Sequence, residues 1–236
     1  MGKACLFYQE QEEEKRGQRM FEHIAAITDT ITTSRYTAPF IGNVFVPDKD
    51  LPNGFKDTEL CLDADFIPRN EAEGSESCLQ LVSYTILLNP AKQEIFVARR
   101  KGGDKRLRES YTIGFGGHVE VGDYQIEAEE MPNPFVKCAK RELLEELKLK
   151  GKCIELHHLG FARDLSSSTK EHIGSIYYLS ASSASIKEKD SFSFGKWVGY
   201  EEFKNKYYFK LESWSRAVFD YLYEDEYYSK LFRLAM

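Results

Sequence analysis

The stretches "GFGGHVEVGD" (residues 114–123) and "RELLEELKL" (141–149) decide the fold of this chain. On a helix of 100° per residue, Glu142, Glu145 and Glu146 of the second stretch fall in one sector about 100° wide. Apolar side chains occupy the neighbouring sector, so a helix here has one side in a core and a crowded acidic edge. Two interpretations are open at this point: a solvated acidic face, or carboxylates gathered around a metal ion.

The composition of both stretches bears on that choice. Like charges three and four residues apart destabilise a helix by about a few tenths of a kcal/mol per pair. A bound divalent cation would reverse that sign, and carboxylates in this number suit Mg²⁺ or Mn²⁺. The first stretch holds Gly114, Gly116, Gly117 and Gly122, too many for an ordinary strand. Such a loop brings its backbone close to a neighbouring helix or to a ligand.

Together the two stretches resemble the box of the Nudix (MutT-type) hydrolase family. That box reads glycine, five residues, glutamate, seven residues, then R-E-U-x-E-E-x-G-U, where U is aliphatic. Gly117 begins it, residues 141–146 match its helix, and Leu149 matches its last aliphatic position. Residues 66–88 and 101–118 add similarity to a Nudix branch described as predicted phosphoesterases.

The chain departs from the family pattern in three places. Asp123 stands where the family has glutamate, and Lys148 replaces the box glycine. Seventeen residues separate Asp123 from Arg141 instead of seven, an insertion in a loop where added length costs little. None of the three departures removes a carboxylate from the helix.

The resemblance implies a Nudix-type α/β/α sandwich around a mixed sheet, and it covers about residues 79–222. We therefore expect a Nudix hydrolase domain over 78–236, behind an N-terminal extension over 1–77. Hydrophobic periodicity predicts a helix over 134–149 and strands over 79–89 and 94–100.

The extension itself resembles nothing that we can name. Its pattern predicts a helix over about 10–28, a short strand within 39–48 and a polar surface loop beyond it, over 48–78. This segment either covers the sheet or pairs two chains, so a homodimer is one open state.

The resemblance also implies a reaction: water attacks phosphorus and cleaves the diphosphate of a nucleoside diphosphate linked to another moiety. In the family pattern Glu142, Glu145 and Glu146 hold Mg²⁺ (or Mn²⁺), and the carbonyl of Gly116 adds a ligand. Arg141 would pair with Asp123 and fix the helix.

Candidate residues also lie outside these positions. Glu120, three residues after Gly117, is a further candidate for the metal site. The loop before Trp197 offers Asp190 as general base, with Glu188 as the alternative. Cations ahead of the box are candidates for substrate phosphate, chiefly Arg99, Arg106 and Arg108.

Composition narrows the partners. A net charge of −6 argues against binding an extended nucleic-acid backbone, and leaves a small phosphorylated nucleotide as the expected substrate. Five cysteines without a CxxC pair predict neither a disulfide framework nor a zinc site, which suits the cytoplasm. No apolar run approaches the length of a membrane span.

Other functions remain open beside hydrolysis. A non-catalytic Nudix module, acting as a nucleotide sensor or scaffold, would be favoured by loss of a box glutamate, and none is lost. The isomerase branch acting on isopentenyl diphosphate needs a cysteine near the box loop, whereas Cys138 belongs to the predicted helix. RNA decapping fits poorly with the acidic charge.

Overall fold

A mixed β-sheet forms the centre of the molecule. The computed structural model describes residues 23–73, 75, 77–102, 107–124, 133–150, 154–166 and 169–224. Within this part of the chain no helix is long and apolar enough to cross a membrane. The strands are β1 His23–Ile27, β2 Phe45–Pro47, β3 Asp65–Pro68, β4 Leu79–Asn89, β5 Glu94–Arg100, β6 Tyr111–Thr112, β7 Gly114–Phe115, β8 Leu147–Leu149, β9 Leu156–Ala162, β10 His172–Ser180, β11 Ala184–Ile186 and β12 Phe192–Gly199.

Strand β4 lies in the middle of the sheet and is buried along its whole length. The strand order is β12-β5-β4-β10-β9-β2; β4 runs parallel to β10 and antiparallel to β5. Because both faces of β4 are covered, apolar residues occupy both faces, and the four polar residues of the strand are buried as well: Gln80, Ser83, Thr85 and Asn89. The predicted strands over 79–89 and 94–100 are confirmed.

Helices cover both faces of the sheet. They are α1 Thr30–Arg35, α2 Asp57–Leu62, α3 Arg69–Ala72, α4 Pro134–Glu146, α5 Tyr200–Lys206 and α6 Ser213–Glu224, with short 3₁₀ helices at Ala38–Phe40, Asp48–Asp50, Val121–Tyr124 and Tyr208–Lys210. Helix α4 packs on one face through Phe135 and Ala139, which join Leu81 in one core cluster. Helices α5 and α6 pack on the other face through Phe203 and Phe219. The predicted α/β/α sandwich is confirmed.

The N-terminal segment differs from its prediction. The part of the predicted helix over 10–22 lies outside the described residues, and 23–27 form strand β1, so the helix is wrong there. Strand β1 pairs with β4 and β3, and the Ala25 N–H donates to Val119 O at 2.8 Å. Pairing with distant strands satisfies the backbone of this apolar run, which local periodicity cannot reveal.

The region beyond 48 is not a simple loop. It contains α2, β3 and α3, and buried Leu60 of α2 shares a core cluster with Phe135 of α4. The strand predicted within 39–48 is present as β2, which pairs with β9.

The box helix ends earlier than predicted. Helix α4 stops at Glu146, and Leu147–Leu149 turn into β8, which pairs with Ala184–Ile186 of β11. Leu147 is extended (φ −126°, ψ 151°), so the chain needs no glycine to leave the helix here. This explains how Lys148 occupies the position of the box glycine. The start of α4 is capped by the Asn133 side chain, which accepts from the Phe135 N–H at 3.0 Å.

Candidate active site

The glycine loop lies against β4 on one side and α4 on the other. A Cβ on Gly116 would lie 2.0 Å from Ser83 O, and a Cβ on Gly117 would lie 2.5 Å from Glu142 Oε1. At Gly116 the obstacle is backbone, so only glycine lets β4 lie this close to the loop; at Gly117 a side chain would displace the Glu142 carboxylate from its present position. The Ser83 N–H donates to Gly117 O at 3.0 Å and fixes the loop on the sheet.

A buried thiol ties the same loop to α4. Cys138 Sγ lies 3.4 Å and 3.2 Å from the carbonyl oxygens of Gly117 and His118, and it accepts from the Ser83 hydroxyl at 3.0 Å. Burial raises the pKa of this thiol well above its usual range, so it stays protonated. Cys138 therefore holds the loop against α4 and does not serve as a nucleophile.

Arg141 joins the loop to the helix by a forked contact. Its Nε and Nη2 donate to the two oxygens of Asp123 at 3.2 Å and 3.0 Å, and Nη2 also donates to His118 O at 3.0 Å. Asp123 is buried and accepts from the Glu120 N–H at 2.9 Å. The shorter carboxylate at position 123 thus still reaches the arginine across the loop.

The three helix carboxylates differ in their surroundings. Glu146 is buried and accepts from the Gly116 N–H at 3.0 Å, while Glu142 accepts from Arg141 Nη1 at 2.6 Å. The Glu145 side chain is 58% exposed. Burial, with Glu145 nearby, raises the pKa of Glu142 to about 7, although Arg141 opposes the shift. Burial and Glu142 raise the pKa of Glu146 well above its usual range.

These carboxylates line an open cavity of about 380 Å³. Among the described residues that line it, the carboxylates are Glu120, Glu142, Glu145, Glu146, Glu188 and Glu212, and the guanidinium groups are Arg69, Arg100 and Arg141. Six carboxylates against three guanidinium groups leave an excess of three formal negative charges. When all six carboxylates are ionised, this charge balance disfavours a phosphate in the absence of cations.

Comparison with known proteins assigns the family. The family model of the NUDIX domain matches residues 79–222, which are more than half of the chain. The chain belongs to the Nudix family. Protein YmaB of Bacillus subtilis (strain 168) is 31% identical to this Nudix protein over 166 residues, which are 65% of this chain and 76% of YmaB.

A solved structure has the same fold. The crystal structure of Tm1382, a proposed Nudix hydrolase, superimposes with a TM-score of 0.64 at 24% identity, covering 85% of this chain and 98% of that one. That share is larger than residues 79–236 make up, so the likeness in fold extends into the N-terminal segment. The family match, and not this likeness in fold, assigns the class of activity: this Nudix protein is a hydrolase, and the general activity of its family is hydrolysis of a pyrophosphate bond.

Nudix hydrolases generally use divalent metal ions, and the donors of this cavity are of the right kind. Carboxylate oxygens are hard ligands that suit Mg²⁺ or Mn²⁺, and Glu142, Glu145, Glu146 and Glu120 meet at one cavity beside Gly116. As placed, Glu142 and Glu146 accept from Arg141 and Gly116, and within the described chain no three acidic, histidine or cysteine side chains form a closed metal cluster. The donor set fits a divalent cation, with side-chain rotation needed to complete the shell.

Of the other residues predicted for the site, some line the cavity and some do not. Glu188 lines the cavity, and its backbone N–H donates to Glu146 O at 3.2 Å, whereas Asp190 is exposed and lies outside the lining. Half-buried Arg99 pairs with Glu109, and neither Arg99 nor exposed Arg108 lines the cavity.

Arg106 lies outside the described residues. Among the described residues of this region, Arg100, the neighbour of Arg99 on β5, lines the cavity.

Sequence reasoning missed the contributions of distant segments. Arg69, from α3 of the N-terminal segment, lines the cavity, and so do Glu212 and Trp214 near the start of α6. No spacing signal links these positions to the box; the "RNEAEGSES" stretch reads as polar loop.

His118 connects the N-terminal segment to the box loop. The amide nitrogen of Gln80 donates to Ala72 O at 3.0 Å. The amide oxygen of Gln80 therefore faces His118 and accepts from its Nε2 at 2.9 Å. Burial, with Arg69, His172 and Arg141 nearby, lowers the pKa of His118 well below its usual range, so the ring is neutral.

Proposed function

We propose that this Nudix hydrolase cleaves the diphosphate bond of a nucleoside diphosphate linked to another moiety, by attack of water on phosphorus. The observation that carries the proposal is that Glu142, Glu145 and Glu146 line one cavity together with the glycine loop, whose Gly116 N–H donates to Glu146 at 3.0 Å. Mg²⁺ or Mn²⁺ is the proposed cofactor, held by these three carboxylates together with Glu120 and the Gly116 carbonyl.

The charge of the cavity supports metal dependence. Burial keeps water from screening the carboxylates, and the raised pKa values of Glu142 and Glu146 show that their negative charges are poorly compensated within the protein. Two divalent cations, with four positive charges, would exceed the three formal negative charges by one and leave a field that attracts a diphosphate. When bound, the metal polarises phosphoryl oxygens and lowers the pKa of a bound water.

The side chains of the protein have distinct tasks in this scheme. Arg141 and Asp123 hold the loop and α4 together, so that the helix carboxylates and Gly116 line the same cavity. Glu188 lines that space and is the better-placed proton acceptor for the attacking water, while Asp190 remains the competing prediction from the sequence.

The partner that we propose is a small phosphorylated nucleotide, not an extended nucleic acid, since the cavity is small and the chain is acidic. We expect a cytoplasmic location, in line with the buried free thiols of Cys61, Cys78 and Cys138. A homodimer remains a prediction that size measurement in solution can test.

A substrate screen with matched variants tests the function. Nucleotide sugars, dinucleoside polyphosphates, nucleoside triphosphates and ADP-ribose are offered with Mg²⁺ or Mn²⁺, and phosphate release is measured. Glu145→Gln should lower kcat by about 10²- to 10⁴-fold if that carboxylate is a metal ligand. Glu201→Gln, an exposed helical glutamate outside the cavity, should leave kcat unchanged.

Two results would contradict the proposal. Equal turnover by both variants would remove the metal role of the helix carboxylates. Metal-dependent binding of nucleotides with no turnover would favour the alternative, a Nudix sensor or scaffold.

A further inference from the structure

The Arg100–Glu212 pair is a feature of the cavity that the box does not explain. Arg100 is the last residue of β5, and Glu212 precedes α6; their positions in the sequence differ by 112. Arg100 Nε donates to Glu212 Oε2 at 2.9 Å, and Nη2 lies 3.4 Å from Oε1. The two side chains are 17% and 5% exposed, and both line the cavity that holds the helix carboxylates.

Hydroxyl groups hold Glu212 from behind. Its Oε1 accepts from the hydroxyls of Tyr84 at 2.6 Å, Thr112 at 2.6 Å and Ser215 at 3.2 Å. The Glu212 N–H also donates to Tyr111 O at 3.0 Å. A carboxylate fixed by strands on one side and α6 on the other cannot follow the guanidinium, so it dictates where the guanidinium lies.

The pair is charged despite its burial. Burial acts to raise the pKa of Glu212, but Arg100 and the hydroxyl donors bring it below its usual range. Burial likewise opposes the charge of Arg100, and Glu212 outweighs it. Burying an ion pair stabilises a fold little, because desolvation offsets the attraction. Stability alone is therefore a weak reason for this arrangement.

Arg100 has N–H groups that the pair with Glu212 does not use. A guanidinium carries five N–H groups, and Glu212 engages two of them. Among the described residues Glu212 is the hydrogen-bond acceptor of this guanidinium, and its exposed part belongs to the cavity wall. Arg100 also acts electrostatically on Glu146, so its charge lies near the proposed metal site.

We propose that Arg100 binds a phosphate oxygen of the diphosphate through its remaining N–H groups, and that Glu212 is the positioning residue that orients it. This inference rests on the proposed function, since it concerns the same cavity. The chemistry is a charge-assisted contact between guanidinium and phosphate, for which arginine suits better than lysine because its donors form a rigid fork.

The Tyr84 ring adds to the fixed geometry. A Cβ on Gly114, at the start of β7, would lie 1.9 Å from Tyr84 Cε1, so the strand that leads into the box loop packs directly on this ring. The hydroxyl of the same ring bonds Glu212. Through Tyr84 and Glu212, the position of Arg100 is therefore fixed relative to the loop that carries Gly116.

Binding of a diphosphate that cannot be hydrolysed tests this without turnover. Calorimetric titration of methylenediphosphonate in the presence of Mg²⁺ gives Kd for each variant. Arg100→Gln should weaken binding by about 10- to 100-fold, the factor of one charge-assisted hydrogen bond, and Arg100→Lys should restore only part of it. Arg216→Gln, an exposed arginine on α6 outside the cavity, is the control and should bind like wild type.

Loss of folding is separated from loss of binding by a double variant. Arg100→Gln alone leaves Glu212 buried without its partner and is expected to unfold more easily. Arg100→Gln with Glu212→Gln replaces the ion pair by a neutral pair that can still hydrogen-bond. We expect it to recover thermal stability and to remain weak in binding. Recovery of both would make the pair a mere structural link and overturn the inference.

Further outcomes distinguish this inference from the proposed function. If Glu145→Gln abolishes Mg²⁺-dependent binding while Arg100→Gln binds like wild type, the role of Arg100 fails and the metal site stands. A larger loss with Arg99→Gln than with Arg100→Gln would also overturn the inference, in favour of Arg99. If wild type binds no methylenediphosphonate with Mg²⁺, both the inference and the proposed function fail.

Discussion

Replacing Glu142 by glutamine should make the metal-free protein more stable and the enzyme nearly inactive. The pKa of Glu142 rises from its ordinary value of 4.5 to about 7 on folding, chiefly through burial. The folded state thus prefers the protonated side chain. Below pH 4.5 the Glu142 side chain does not lower the free energy of unfolding. As the pH rises from 4.5 to about 7, ionising this buried side chain lowers the free energy of unfolding by an increasing amount.

The size of the effect follows from the pKa shift. A difference of about 2.5 units corresponds to about 3 kcal/mol at 1.36 kcal/mol per unit. Glutamine resembles the protonated acid in shape and charge, so Glu142→Gln should gain up to this amount at pH 8. For a chain of this length that is about 6–12 °C in Tm. The gain should disappear at pH 4.5, where the wild-type side chain is already protonated.

Thermal unfolding at pH 4.5 and pH 8, with EDTA or with Mg²⁺, measures this. Added Mg²⁺ should raise the Tm of the wild type more than that of the variant, because a cation that binds the folded state stabilises it. Phosphate release should fall by about 10²- to 10⁴-fold in the variant. The matched control is Glu201→Gln, which should change neither property.

A solvated acidic helix face predicts a different outcome. In that case Glu142→Gln would shift the free energy of unfolding by only about a few tenths of a kcal/mol at either pH, and Mg²⁺ would act equally on both proteins. Such a result, with activity retained, would refute the reasoning that gathers these carboxylates around a metal.

Three other perturbations check separate parts of the site. Glu188→Gln should lower kcat more than Asp190→Asn, by about 10²-fold or more if Glu188 accepts the proton of water; steady-state kinetics decides, and the reverse order would restore Asp190. Arg69→Gln should raise KM more than it lowers kcat, because a phosphate contact serves ground and transition states alike; an unchanged KM would mean that this arginine does not reach the substrate. Burial opposes protonation of His158, but Asp48 and Asp57 outweigh it and raise the pKa of His158. Protonated His158 therefore contributes fully to the free energy of unfolding below pH 6.5, and this contribution is lost as the pH rises through the raised pKa. Asp48→Asn should destabilise the protein more at about pH 6 than at about pH 9 in urea titrations.

The sequence alone determined the elements whose signal is local. The box helix from Pro134 and the strands β4 and β5 follow from apolar runs and periodicity over neighbouring residues. The spacing of Glu142, Glu145 and Glu146 is enough to place all three on one edge of a helix, because the helical repeat is fixed. The match to the Nudix box carried the family and the sandwich fold, which the comparisons confirm.

Tertiary structure decided everything that depends on distant partners. Residues 23–27 became a strand because β3 and β4 offered unpaired backbone groups, and α4 ended at Glu146 because β11 offered a partner to Leu147–Leu149. Arg69, Glu188 and Glu212 come to the cavity from separate segments. Their neighbours in sequence, such as exposed Asp190, carry the same kinds of charge. Charge type and spacing along the chain do not record which face of a strand or loop turns inward; only the packing of the sheet against α4 and α6 fixes that.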